Sequence, residues 1–165
     1  TLALSTVFKR SLNDGNDHTT VAREIDHIES YLAIQLHRHR DRFTVSLEID
    51  ERILGREMLN LTLQPFVENS IRHGLEPKVG PGHVSVAGRE RDGTLEFVIE
   101  DDGVGLPDSF DPAGGFAVSN VRERLAIHYG SSASVTLSDR AGGGTRVLVR
   151  FPSIRTTLAS DGGAV

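Results

Sequence analysis

The chain has no cysteine and no tryptophan, a single methionine, and aromatic rings at only 5% of its 165 positions. Without cysteine, neither a disulfide nor a thiolate-ligated zinc site can form. No apolar run approaches the roughly 20 residues that a membrane-spanning helix needs. No signal peptide is visible. Positive charge is not in excess either: 18 Lys and Arg against 23 Asp and Glu leave a net charge of -5. That balance argues against nucleic acid as a partner. Neither a Walker A motif nor a Rossmann GxGxxG occurs, so the two commonest nucleotide folds find no support. The first residue is not Met and the chain opens inside a helical pattern. It therefore reads as a piece of a longer protein, and any membrane segment would lie outside it. What remains has a globular composition and enough length for one domain with a real core.

Taken in order, Leu2 to Leu12 carries apolar residues at helical spacing and reads as the end of a helix. Asn13 to Asp17 is rich in turn formers. Thr19 or Thr20 can cap a second helix that runs to about His39, with Glu24 early in it. Ile25, Ile28, Tyr31, Leu32 and Leu36 form its apolar stripe. Its basic end, His37 to Arg42, suits the negative end of a helix dipole better than a binding role. Phe43 to Ile49 alternates as a half-buried strand. His83 to Arg89 and Thr94 to Asp101 form a hairpin around Asp92-Gly93. Gly105 to Gly115 is a glycine- and proline-punctuated loop. Val118 to Tyr129 is a helix ending at Gly130. Ala133 to Leu137 and Arg146 to Phe151 are two more strands. The tail from Ser153 is small and polar, the composition of disorder. Helices mixed with hairpin-linked strands predict an α+β two-layer sandwich, a mostly antiparallel sheet with helices on one face.

The densest stretch is Leu61 to Gly74, LTLQPFVENSIRHG. It predicts part of a helix from Met58 to about Leu75 with a buried face through Leu61, Phe66, Val67, Ser70 and Ile71. At helical spacing Asn69 stacks under His73 and Glu68 under Arg72. Alone, this cluster reads equally as the wet edge of an amphipathic helix. Three glycine clusters downstream weigh against that: Asp101-Asp102-Gly103-Val104-Gly105, Gly114-Gly115, and Gly142-Gly143-Gly144-Thr145. Glycine serves a tight turn or lets backbone N–H groups approach a phosphate or flat ring. Gly142 to Thr145 alone favours a hairpin turn, and Asp101 alone an Asp-Gly turn. Gly114-Gly115 precedes a helix, where the dipole favours an anion. A carboxylate at Asp101 can accept a hydrogen bond from an exocyclic amine. The amide oxygen of Asn69 suits a magnesium ion that takes few protein ligands and the phosphates of a nucleotide.

An asparagine-bearing helix, then DxGxG, a glycine-led second box and GxGT resembles the N, G1, G2 and G3 boxes of the GHKL ATP-binding superfamily. The flanks YLAIQLHRHRDRF, LQPFVENSIRHG and SNVRERLAIHYG are similar to the LytS-type branch of sensor histidine kinases. This covers Leu2 to about Pro152. The resemblance implies a Bergerat-type α/β sandwich holding Mg-ATP under a lid between about Leu106 and Ala117. Residues 15–152 would form the catalytic domain, residues 1–14 the tail of a dimerisation helix, and 153–165 a disordered tail. It also implies that Asn69 binds Mg2+, that Asp101 reads the adenine amine, and that Gly103 and Gly105 line the adenine pocket. Arg72 would lie at the phosphates and His73 near the nucleoside. Gly115 begins the second box and Thr145 closes the third. Glu68 and Arg72 are the candidate catalytic residues, Glu68 by proximity alone. The partners would be a dimerisation domain carrying the acceptor histidine, a second copy of the full-length protein, and a response regulator. The chain would be the cytoplasmic domain of a membrane-bound sensor. Four departures stand out: the lid is short, and none of the seven histidines sits in the context of the family's acceptor. Ala117 replaces the second glycine of the second box. Pro65 occupies the position where ATPases of the superfamily carry a catalytic glutamate, which favours phosphotransfer over hydrolysis. An ATP-binding regulatory module without transfer activity, and a serine kinase of the anti-sigma-factor type, are the alternatives.

Overall fold

A computed structural model describes residues 17–39, 42–109 and 115–154. The expected helix at Leu2 to Leu12, the middle of the expected lid and most of the tail lie outside these residues. The order is β1 (His18–Thr20), α1 (Val21–Arg38), β2 (Phe43–Ile49), a 3-10 turn at Glu51–Ile53, β3 (Glu57–Leu59), α2 (Gln64–Asn69), a π-helical turn at Ser70–Leu75, β4 (Gly82–Arg91), β5 (Thr94–Asp101), α3 (Phe116–Tyr129), a 3-10 turn at Gly130–Ser132, β6 (Ser134–Asp139) and β7 (Thr145–Pro152).

The main sheet runs β2-β4-β5-β7-β6. Its pairs are antiparallel except one: β2 lies parallel to β4, Phe43 opposite Gly82 and Ile49 opposite Gly88. The hairpin expected at Asp92-Gly93 joins β4 to β5, with Arg91 opposite Thr94. Both turn residues have positive φ, 50° and 73°, the geometry that fits the strand twist in a two-residue loop. Alternation then sorts the faces. Val84, Val86, Leu95, Phe97, Ile99, Val147, Val149 and Phe151 are buried in one core with α1, α2 and α3. The opposite face carries charge. Glu96 sits between Arg89 (3.1 Å) and Arg150 (2.9 Å), and Glu100 pairs with Arg146. His83 bridges Thr44 (2.8 Å) and Ser46 (3.0 Å) across the parallel pair.

Helix α1 begins as its sequence predicts. The Thr20 hydroxyl accepts the Arg23 N–H (3.3 Å), and Val21, Ile25, Ile28 and Leu32 turn inward at helical spacing. The predicted helix from Met58 is different. Met58 belongs to β3, which pairs with β1 (Thr19 opposite Met58). Leu61 has φ 54° and stands in a turn, so helix begins only at Gln64. A non-glycine residue at such φ costs about 1–2 kcal/mol, which no local sequence rule anticipates.

Candidate nucleotide site

Asp101 ends β5 at a point where the strand still faces the helical layer, and it is 2% exposed. Its Oδ1 accepts the Gly103 N–H (3.0 Å). The Ser70 hydroxyl and the Thr145 N–H also donate to the carboxylate. Burial pushes the carboxyl above the ordinary aspartate range, and the three donors pull against that rise. The glycines around it are there for space. A Cβ on Gly74 would lie 2.6 Å from Asp101 Oδ1, and one on Gly103 2.3 Å from the Gly74 carbonyl. The Val104 N–H closes this contact by donating to Gly74 O (3.0 Å). A Cβ on Gly144 would lie 1.9 Å from the Asp101 carbonyl oxygen, and one on Gly105 3.7 Å from Gly144 O. Gly142 to Thr145 is therefore a hairpin turn and also a wall packed on Asp101. The fold brings Asp101, Gly103, Gly105 and Thr145 together, and adds Ser70, Gly74 and Gly144.

Asp102, next in sequence, turns the other way. Its Oδ1 accepts the His83 N–H (2.7 Å) and pairs with Lys78 (3.0 Å). Partial burial pushes its carboxyl up, but the His83 N–H and Lys78 outweigh that and hold it below the usual range. It anchors the loop after β5 to the charged face of the sheet.

The asparagine-bearing segment changes winding within the cluster. Asn69 is the last residue of α2, and a wider π-helical turn takes over at Ser70 and ends with the Glu76 N–H on Ile71 O (2.8 Å). The predicted i, i+4 stacking of Asn69 under His73 and Glu68 under Arg72 assumed an unbroken α-helix. The π turn rotates Arg72 and His73 relative to it, a device common at functional sites. Arg72 and His73 are exposed, while Ser70, Ile71, Gly74 and Leu75 are buried. Glu68 is half-buried and accepts the Gln64 amide (2.9 Å). The Asn69 side chain is half-buried, and among the described residues it has no hydrogen-bond partner. No hydrogen bond or ion pair links Glu68, Asn69, Arg72 or His73 to Asp101 among the described residues. Gly115 caps α3 through its backbone alone, with Ala117 half-buried two residues on.

Sequence reasoning missed Ser70 as a polar partner, because its spacing matched the buried face. It also missed Tyr31. Burial, then Glu68 of α2 and Glu76 at the end of the π turn, push the Tyr31 phenol up to about 12. Its place in the α1 stripe was legible and its charged neighbours were not.

Among the described residues no group of three or more His, Asp or Glu is disposed to hold a metal ion. An ion here would depend on a ligand's own oxygens, which fits magnesium with a nucleotide and one free amide better than a protein-ligated transition metal.

Residues 55–155 match the family model described as histidine kinase-, DNA gyrase B-, and HSP90-like ATPase. The chain belongs to this ATPase family. Residues 1–43 match a second model, histidine kinase. Both descriptions name histidine kinases, and the two matches cover residues 1–43 and 55–155. The chain is 31% identical over 149 residues to the sensor histidine kinase BtsS of Escherichia coli, covering 90% of this chain and 26% of BtsS. It is 29% identical over 164 residues to the sensor protein LytS of Staphylococcus saprophyticus, covering 92% of this chain and 27% of LytS. It thus spans about a quarter of the length of these relatives. The nucleotide-free catalytic domain of the histidine kinase ThkA superposes with a TM-score of 0.64 at 12% identity, covering 84% of this chain and 96% of that one. At that identity the likeness supports the α+β fold alone. ThkA has also been solved with the response regulator protein TrrA. Among the described residues no helix is long and apolar enough to cross a membrane.

Proposed function

We propose that this domain, residues 15–152, binds Mg-ATP and hands its γ-phosphoryl group to a histidine outside the chain. The supporting observation is the carboxylate of Asp101. It is buried at a strand end, held by Ser70, Gly103 and Thr145, and surrounded by glycines with no room for a side chain. A fixed acceptor of this kind selects an exocyclic amine and rejects a carbonyl, which distinguishes adenine from guanine. Asn69 would hold the magnesium ion. When bound, that ion supplies charge neutralisation at the phosphates. Arg72 is exposed at the same end of α2 and would meet the phosphates from solvent. Transfer breaks the bond between the γ-phosphorus and its bridging oxygen and releases ADP, while an imidazole nitrogen forms the new bond with its own lone pair. A strong base is therefore not required, and Pro65 at the position of a water-activating glutamate suits this chemistry. Glu68, bound to Gln64, is a positioning group here. The acceptor would belong to a dimerisation domain that residues 1–14 lead into, with a response regulator receiving the phosphoryl group next. The domain would then work on the cytoplasmic side of a membrane-bound sensor.

A second reading, nucleotide binding without transfer, rests on Ala117, whose methyl stands at the start of α3. One experiment separates the two. Calorimetry with a non-hydrolysable ATP analogue, with and without Mg2+, is run on the wild type, Asp101→Asn and Asn69→Ala, followed by transfer to a separately supplied histidine domain. Wild type should bind ATP over GTP in a magnesium-dependent way. Asp101→Asn should lose the base preference, and Asn69→Ala the magnesium dependence. Equal binding of GTP and ATP by the wild type overturns the role given to Asp101. Binding without transfer selects the second reading.

A further inference from the structure

We infer that Glu24 is a positioning residue for the nucleotide site: from helix α1 it caps helix α2 and thereby sets where Asn69 stands. The inference rests on the magnesium role proposed for Asn69. Helix α2 has no cap of its own. Its N-cap is Leu63, which has no side-chain acceptor, and Pro65 lacks an N–H. The orphan donors go instead to α1. Glu24 Oε1 accepts the Leu63 N–H (2.9 Å) and the Gln64 N–H (3.3 Å), and Oε2 accepts the Leu61 N–H (3.0 Å). The negative carboxylate also sits at the positive end of the α2 dipole.

Glu24 is fully buried, and burial raises its carboxyl above the ordinary range despite three donors. A leucine there would avoid that cost but leave the Leu61, Leu63 and Gln64 N–H groups without their acceptor, so the carboxylate is what holds this turn in place. The turn it holds is itself strained, with Leu61 at φ 54°. Helix α3 grips the same turn from the other side. Arg124 Nη2 donates to Asn60 O (2.7 Å) and Nη1 to Leu61 O (3.4 Å). Leu61 and Leu63 thus give their N–H groups to α1, while Asn60 and Leu61 give their carbonyls to α3. Asn69 lies five residues beyond Gln64, about 7.5 Å along the helix. Any shift of the turn carries directly to Asn69 before the π turn can absorb it.

The test is a Mg2+ titration of ATP-analogue binding on this chain, comparing wild type, Glu24→Gln and Arg124→Gln, with far-UV circular dichroism as the check on folding. Glutamine keeps the volume of Glu24 but sets an NH2 against one of three N–H donors. The Mg2+ concentration for half-maximal binding should rise about tenfold, the effect of one lost hydrogen bond to a charged group. The preference for ATP over GTP should stay, since Gly103 and Thr145 hold Asp101 independently of the Asn69 segment; a general loosening would erode both. A folded Glu24→Gln with wild-type magnesium dependence overturns the inference, as does one that loses base preference in parallel. If Glu24→Gln does not fold, Arg124→Gln is read by the same two criteria. A wild type that binds no nucleotide sinks the parent reading and this one with it. A wild type that binds, with variants unchanged, sinks this one alone.

Discussion

Gly143 and Gly144 are neighbours in the turn before β7, and alanine at each separates backbone strain from collision. Both have positive φ, 99° and 98°. A Cβ at Gly143 would meet nothing within 4 Å, while one at Gly144 would lie 1.9 Å from the Asp101 carbonyl oxygen and 2.8 Å from Asp102 Cα. Gly143→Ala should therefore cost only the conformational term, about 1–2 kcal/mol. Gly144→Ala adds a backbone collision that no side-chain rotation relieves, about 1–3 kcal/mol more. The pair should lose about 1–2 and about 2–5 kcal/mol. For a chain of this size each kcal/mol is worth about 2–4 °C in melting temperature. Urea denaturation gives the free energies, and binding of the ATP analogue reads the site. Gly144→Ala must displace the end of β5, so the contact from Asp101 should weaken by about tenfold to a hundredfold, the range of a charge-assisted hydrogen bond. Gly143→Ala should leave binding near wild type. Equal losses in stability and binding for the two variants would refute the claim that Gly144 packs on Asp101 rather than merely turning the chain.

Because burial holds Asp101 above its unfolded value, the folded state favours the protonated form, and this contribution is present at low pH and lost as pH rises through the folded pKa. The stability of Asp101→Asn relative to wild type should therefore improve between pH 4 and pH 7 in urea midpoints, whatever its offset; a flat difference would show the carboxyl to be unperturbed. Ala117→Gly should lower stability by about 1 kcal/mol, the cost of glycine within a helix, and tighten ATP-analogue binding by calorimetry if the methyl crowds the phosphates. Unchanged affinity would show the methyl to be harmless.

The sequence was most legible where a local rule acts alone. Thr20 caps α1, Asp92-Gly93 turns the hairpin, and alternation in β4, β5 and β7 separates the core from the charged face. It was least legible where two distant segments meet. Met58 alternates poorly but pairs with Thr19, so a short strand was read as helix. Leu61 sits at positive φ in a turn that Glu24 and Arg124 hold, and neither is near it in sequence. Glu24 looked like an acidic residue early in a helix, and Ser70 like part of an apolar face. The clustering of Asp101 with Gly103 and Thr145 followed from motif order, whereas Ser70, Gly74 and Gly144 became visible only through distances. The parallel pairing of β2 was also hidden, since a strand's own residues do not state the direction of its neighbour.

That parallel pair has a kinetic consequence. Closing the β4–β5 hairpin joins two residues, Asp92 and Gly93, but closing β2 on β4 encloses the whole of residues 50–81, including α2 and the π turn. Four doublings of loop length cost about 2.4 kcal/mol of chain entropy before any pairing compensates. Strand β2 should thus join the sheet late, after the hairpin exists. The nascent domain would pass through a stage with β4 unpaired on one side and the Asn69 segment not yet enclosed. During that stage the pocket cannot form, whatever the nucleotide concentration.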